Sequence, residues 1–142
     1  MSAKASNPKE ARLLELSLFK NADQKALEHL ASAADEASVR AGQTLIRQNH
    51  NHNELFIIES GTASVTIDGN EVAEIPAGEF VGELGFFIAG PATATVTAKT
   101  DLEVLIIPYN RFDQTLNDNP PLVRAMLHEI AERLHDTDER LL

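Results

Sequence analysis

Between Ala37 and Pro108 the chain is built from short β-type runs, and on both sides of that stretch its apolar residues return at helical spacing. Val39, Leu45-Ile46, "ELFIIES", "TASVTI", "EVAEI", "ATATVTA" and "LEVLIIP" follow one another with Gly, Asn, Asp or Pro between them. Short strands at such regular intervals are the pattern of an all-β sandwich or barrel. In "TASVTIDGNEVAEI" the residues Ala63, Val65 and Ile67 alternate with Thr and Ser before the turn "DGN", which predicts a hairpin. Upstream, "NADQKALEHLASAAD" reads as a helix capped by Asn21, with Gln24 three residues on and Ala26, Leu27, Leu30, Ala33 and Ala34 along one face. Residues 1–8 are small and polar and are expected to fray. Downstream, "YNRFDQTLNDN" predicts a short helix. "PPLVRAMLHEIAERLHDTDERLL" predicts a long one with proline at its start and Val123, Met126, Leu127, Ile130, Leu134 and Leu141 on a stripe.

Without a repeat or a linker, the expectation is one domain over residues 1–142, helical at 9–35 and 109–140 with the strands at 36–108, the helices packing on the sheet. Hydrophobic residues make up 43% of the chain, enough for a packed core. The net charge of −10 repels phosphate backbones and anionic lipid, so no direct nucleic-acid contact is expected. Absence of cysteine excludes disulfides and thiolate zinc sites and fits a reducing compartment. No apolar run reaches the roughly 18 residues of a membrane span, and "MSAKASNPKEARLLEL" has no signal-type apolar stretch, so a soluble cytoplasmic protein is expected.

The segment "GELGFFIAGPATATV", residues 82–96, carries the functional question. A short turn of helix after Gly82 would present backbone N–H groups to an anion. Yet the segment holds one glutamate and no Lys or Arg. With its preceding "GEFV" it resembles the phosphate-binding cassette of the cyclic-nucleotide-binding domain family, whose pattern runs roughly F-G-E-L-A/G-L, a few residues, then P-R-S/T-A-T-V. "LFKNAD", the strands and the trailing helices fall in family order, so the resemblance covers nearly the whole chain. It implies a mainly β fold with flanking α, the β-roll or jelly roll of that family, with one N-terminal helix region and two C-terminal helices.

The resemblance also implies roles. Glu83 matches the glutamate that accepts the ribose 2′-hydroxyl, Gly82 and Leu84 the main-chain contacts, and Thr93 the hydroxyl that donates to the cyclic phosphate. Arg133 and Thr137 match positions reaching the ribose side and the adenine edge, and Arg133 could pair with Glu83. Ala92 stands where the family places the arginine that forks onto the phosphate. Leaving a buried charge without its partner costs about 3–5 kcal/mol. At about 1.4 kcal/mol per tenfold, affinity falls by roughly two to four decades. Arg40, Arg47 or Arg124 folding into the site, or a ligand lacking phosphate, would rescue it; otherwise the pocket is a relic with Glu83 solvated or paired. Where the family places Gly and Asp in the loop "RQNHNHNELF", this chain has Asn49, Asn51 and Asn53, and Asn tolerates the left-handed turn.

Other readings are weaker. His50 and His52 suggest the metal site of a cupin, but Glu54 follows too soon and Val81 occupies the later histidine's place, leaving a solvated histidine pair. His128 and His135 read as exposed or packed side chains. No serine elbow or cysteine is present and the acids look scattered over solvent faces, so no enzyme is expected. A transcription regulator would need a groove-reading domain beyond the long helix, so this sensor half would act through a protein partner. Val123, Ile130 and Thr137 recur at seven with Met126 and Arg133 between them, a seam fit for a homodimer. The expectation is a stand-alone regulatory module with cyclic AMP or another small molecule as ligand and no other cofactor or metal. Its cyclic-nucleotide affinity would be weak or lost, and the alternative is a ligand-independent protein-interaction scaffold.

Overall fold

The computed structural model describes residues 3–16, 19, 20 and 22–138, with the side chains of Arg133, Leu134 and residues 136–138 outside that description. Two compact units emerge. One comprises residues 33–112; the other brings residues 1–32 together with 113–142.

The 33–112 unit is the β-roll. Its strands are β1 (Asp35–Val39), β2 (Thr44–Ile46), β3 (Glu54–Ser60), β4 (Thr62–Ile67), β5 (Asn70–Pro76), β6 (Phe80–Val81), β7 (Thr95–Ala98) and β8 (Leu102–Pro108). They form two antiparallel four-stranded sheets, ordered β1-β8-β3-β6 and β2-β7-β4-β5. Leu55 to Ile58 are all buried, as befits a strand covered on both faces. Phe56 and Ile58 point between the sheets, where Ile46, Ala63, Val81, Val96, Ala98, Leu102 and Val104 complete a core cluster. Phe56 lies opposite both Val81 and Ile106, so the register of β3 fixes where β6 ends and the chain must leave the sheet.

The expected hairpin is present. Asp68 and Gly69 both have positive φ, +52° and +84°, and join Ile67 to its partner Asn70, the two-residue turn whose twist matches the strands. Past a register shift between Val65 and Thr66, Ile67 is exposed, so the inward alternation stops at Val65. The run read as a strand from Ala92 begins only at Thr95; residues 92–94 belong to a loop.

The helical unit starts earlier than expected. Residues 6–8, expected to fray, lead into α1 (Pro8–Leu14): Asn7 Oδ1 accepts from Glu10 N at 2.9 Å, and Glu10 Oε1 accepts from Ser6 N at 3.1 Å. This is a variant of the capping box, the N3 carboxylate reaching one residue beyond the cap, with proline in the first turn. Glu10 is buried, so the acids are not all on solvent faces. Helix α2 spans Gln24–Ala33, and its cap is Asp23, whose Oδ1 accepts from Ala26 N at 2.7 Å. The expected cap, Asn21, lies outside the described residues. After α4 (Tyr109–Asn117), Asn119 Oδ1 accepts from Leu122 N at 3.2 Å and caps α5 (Pro120–Asp138). The stripe on α5 is shifted: Leu122 and Met126 are buried and Val123 and Ile130 half-buried, while Leu127 is 58% exposed. The side chain of Leu134, and Leu141 altogether, lie outside the described residues.

Candidate ligand-binding site

The site begins where β6 runs out. Gly82 turns the chain at φ +96°, and a Cβ there would stand 2.7 Å from the Glu54 carbonyl oxygen. Glycine is therefore demanded twice, by the left-handed backbone and by the closeness of β3. The short helix α3 (Glu83–Phe87) follows, with Glu83 as its first residue.

Beneath α3 lies a set of side chains that fixes it. Pro108 pairs with Glu54, which sets the start of α4 beside the loop before β3, and Tyr109 N donates to Asn53 O at 2.9 Å. The Tyr109 hydroxyl donates to the Gly82 carbonyl, and His52 Nδ1 lies 3.1 Å from Tyr109 Oη. A hydroxyl has one proton; with that proton on Gly82, His52 must supply its own Nδ1–H to the phenol oxygen. Loss of the Tyr109 proton is pushed up to about 12, first by burial and then by the negative charge of Glu83, so the donor persists across the physiological range. A Cβ on Gly85 would stand 2.7 Å from Tyr109 Oη and 3.0 Å from His52 Nε2. Phe86 closes the cluster with edge contacts to Tyr109 and Phe112, ring centroids 5.4 and 5.3 Å apart.

His52 is thus no solvated loop residue: it is half-buried under the turn. Of the two histidines only His50 is exposed. His128, on α5, is exposed and pairs with Glu132 at 3.0 Å, and His135 is exposed. Among the described residues no three His, Asp or Glu side chains gather to hold a metal ion, and no helix is long and apolar enough to cross a membrane.

The far side of the cassette is held by main chain. Asn49, in the left-handed region at φ +69°, donates its N–H to Ala92 O at 2.8 Å, and Ala92 N donates to His50 O at 2.9 Å. Gln48 N donates to Thr95 Oγ1 at 3.0 Å. Ala92 itself packs against the inter-sheet cluster, and Thr93 beside it is exposed.

Gly82, Glu83, Leu84, Ala92 and Thr93 therefore bound one loop excursion between β6 and β7, with Glu83 half-buried and Leu84 half-exposed. The side chains of Arg133 and Thr137 lie outside the described residues, as does the pairing of Arg133 with Glu83. Arg47 is exposed just past the end of β2, in the turn where His50 N donates to its carbonyl at 3.1 Å. Arg40 is exposed at the other end of the roll, in the turn where Gly42 N meets Ala98 O. Lys99 is engaged with Glu74 and Glu71, which raise its pKa. Sequence reasoning missed Tyr109 and His52; the paired glycines at 82 and 85 signal a close approach without saying from what.

Comparison with known proteins matches residues 36–119 to the family model described as the cyclic nucleotide-binding domain. The cAMP-activated global transcriptional regulator CRP of Salmonella typhimurium is 36% identical over 104 residues, covering 69% of this chain and 50% of that protein, so the chain spans about half the length of such curated relatives. The sensor domain of the transcriptional regulator DNR from Pseudomonas aeruginosa superposes with TM-score 0.77 at 21% identity, covering 91% of this chain and 95% of that one. The regulatory subunit of a cAMP-independent protein kinase A from Trypanosoma brucei gives TM-score 0.76 at 26% identity, covering 90% of this chain and 46% of that one. That last structure is a triple variant, one of its changes a threonine to arginine, bound to cAMP in its A site.

Proposed function

We propose, starting from the fact that this chain belongs to the cyclic nucleotide-binding domain family, that it is a regulatory module whose cassette has kept its scaffold and lost its phosphate cation. One observation carries the reading. Position 92 is held by main-chain bonds to Asn49 and His50 and carries only a methyl group, packed on the core cluster. Main-chain N–H groups and Thr93 would still contact a ligand, and Glu83 would accept from a ribose hydroxyl. No guanidinium in the segment 82–96 would answer a cyclic phosphate. Arg40 is exposed at the other end of the roll, and Lys99 is engaged by Glu71 and Glu74. Cyclic nucleotide binding is therefore weak, and the response passes to a protein partner, with the α5 seam as a homodimer contact.

The Trypanosoma brucei structure supports the reading by analogy: a cAMP-independent member of the fold carries bound cAMP in a variant that gains an arginine. The test is calorimetry with cyclic AMP and cyclic GMP on the native chain and on Ala92→Arg. Replacing the missing cation is expected to tighten cyclic AMP binding by about two to four decades. Native binding as tight as that of the arginine variant would overturn the reading. If neither chain binds, the scaffold reading, in which the fold serves only as a contact surface, takes its place.

A further inference from the structure

The far wall of the cassette lies past the end of a sheet. Strand β7 pairs with β4 as far as Thr95 with Thr66, so residues 92–94 have run beyond the ladder, while β4 continues to its turn at Asp68. The loop after β2 takes the place that a strand would fill. Asn49 N donates to Ala92 O, His50 O accepts from Ala92 N, and Gln48 N donates to Thr95 Oγ1. Three consecutive residues, 48–50, therefore supply the backbone partners that the wall has lost from the ladder.

The side chain of Gln48 anchors that loop in turn. Its Nε2 donates to Asp68 Oδ1 at 3.0 Å, and its Oε1 accepts from Asp68 N at 2.9 Å. Both ends of the amide are engaged, which fixes its orientation. Asp68 is itself pinned, because it is the first residue of the hairpin turn at φ +52°. Gln48 is half-buried and uncharged, and it faces the turn with its side chain while its main chain faces Thr95. The geometry points to Gln48 as a positioning residue of the cassette: it clamps the wall at residues 92–95 to the turn of the β4–β5 hairpin, and so sets where a ligand meets Ala92 and Thr93. Contact groups keep a productive geometry only when hydrogen bonds behind them hold them there. The inference rests on the reading of the cassette as the binding site, and its test lets the two fail separately.

The test exchanges the two ends of the clamp. Gln48→Glu keeps an acceptor for Asp68 N but sets a carboxylate against the Asp68 carboxylate, with no proton between them. Amide hydrogen exchange in the full chain is expected to quicken at Ala92 and Asn49 by roughly three- to tenfold, the weight of one hydrogen bond, and to stay native in β3 and β8. Gln48→Leu removes both bonds without adding charge and is expected to do the same. Asp68→Asn tolerates the left-handed turn, and combined with Gln48→Glu it restores the bond with donor and acceptor reversed. That double variant should return Ala92 to within about twofold of native exchange, whereas Asp68→Asn combined with Gln48→Leu should stay fast. In the Ala92→Arg chain, Gln48→Glu is expected to weaken cyclic AMP by the same factor and the double variant to recover it. Failure of Ala92→Arg to bind would overturn the reading of the cassette, and exchange at Ala92 would then decide the clamp by itself. Native exchange at Ala92 in both Gln48 variants, no recovery in the double variant, or unchanged affinity where the Ala92→Arg chain does bind would each overturn the proposal.

Discussion

Replacing Gly82 by alanine separates two demands that the fold makes at one residue. At φ +96° any L-residue bears the left-handed penalty, about 1–2 kcal/mol. The new Cβ would in addition stand 2.7 Å from Glu54 O, a backbone atom in a central strand that cannot swing aside. Relieving such an overlap by backbone shifts costs about 1–3 kcal/mol more. Gly42 supplies the internal control: its φ is +93°, but nothing lies within 4 Å of its would-be Cβ, so Gly42→Ala bears the conformational penalty alone. Equilibrium urea unfolding of the two variants should differ by about 1–3 kcal/mol, with Gly82→Ala the less stable. The chain has one tyrosine and no tryptophan, so tyrosine fluorescence reports on Tyr109 directly. It should change in the folded Gly82→Ala protein and stay native in Gly42→Ala, because the Tyr109 hydroxyl rests on the Gly82 carbonyl. Equal destabilisation of the two variants, or an unaltered tyrosine signal in Gly82→Ala, would refute the claim that close approach to β3 is what demands glycine at 82.

Three further outcomes are expected. Tyr109→Phe leaves the Gly82 carbonyl and the His52 Nδ1–H without their partner and should destabilise the roll by about 1–3 kcal/mol in urea unfolding; a loss below half of that would show the hydroxyl to be solvated instead. Phenolate absorbance of the folded chain should titrate near pH 12 and of the denatured chain near 10, and because the folded value is the higher, this contribution to stability is complete below pH 10 and fades as pH rises to 12; a folded midpoint at 10 would contradict it. Glu10→Ala removes the acceptor for Ser6 N and should cost α1 about 1–2 kcal/mol, read as lost helical circular dichroism ahead of the main thermal transition.

Periodicity carried most of the architecture. The switch from helical to β spacing and back marks the strands and helices, Asp68-Gly69 declares its hairpin, and Pro120 opens α5. What was illegible depends on partners distant in sequence or on local chemistry that resembles a polar tail. "SNPKE" caps α1 through Asn7 and Glu10, yet its small polar residues read as a fraying end. The α5 stripe was drawn through Leu127 because helical spacing alone cannot tell which of two adjacent rows turns inward; Leu122 and Met126 do. At the site, the segment 82–93 stood out in sequence and is one loop excursion in the fold. The residues that fasten it, His52 and Tyr109, come from 30 and 27 positions away, and no spacing rule joins them to Gly82. Asn49 is the exception: its tolerance of positive φ was readable from its type alone.

The bond from the first residue of α4 to the carbonyl that launches α3 makes the two helices mechanical neighbours within the roll. Tyr109 behaves as a rivet: α3 cannot be levered away from the sheet without either shearing that joint or pulling on the hinge where β8 becomes α4. The cassette and the end of β8 thus share one fastening, and a change at Gly82 is felt first at Tyr109.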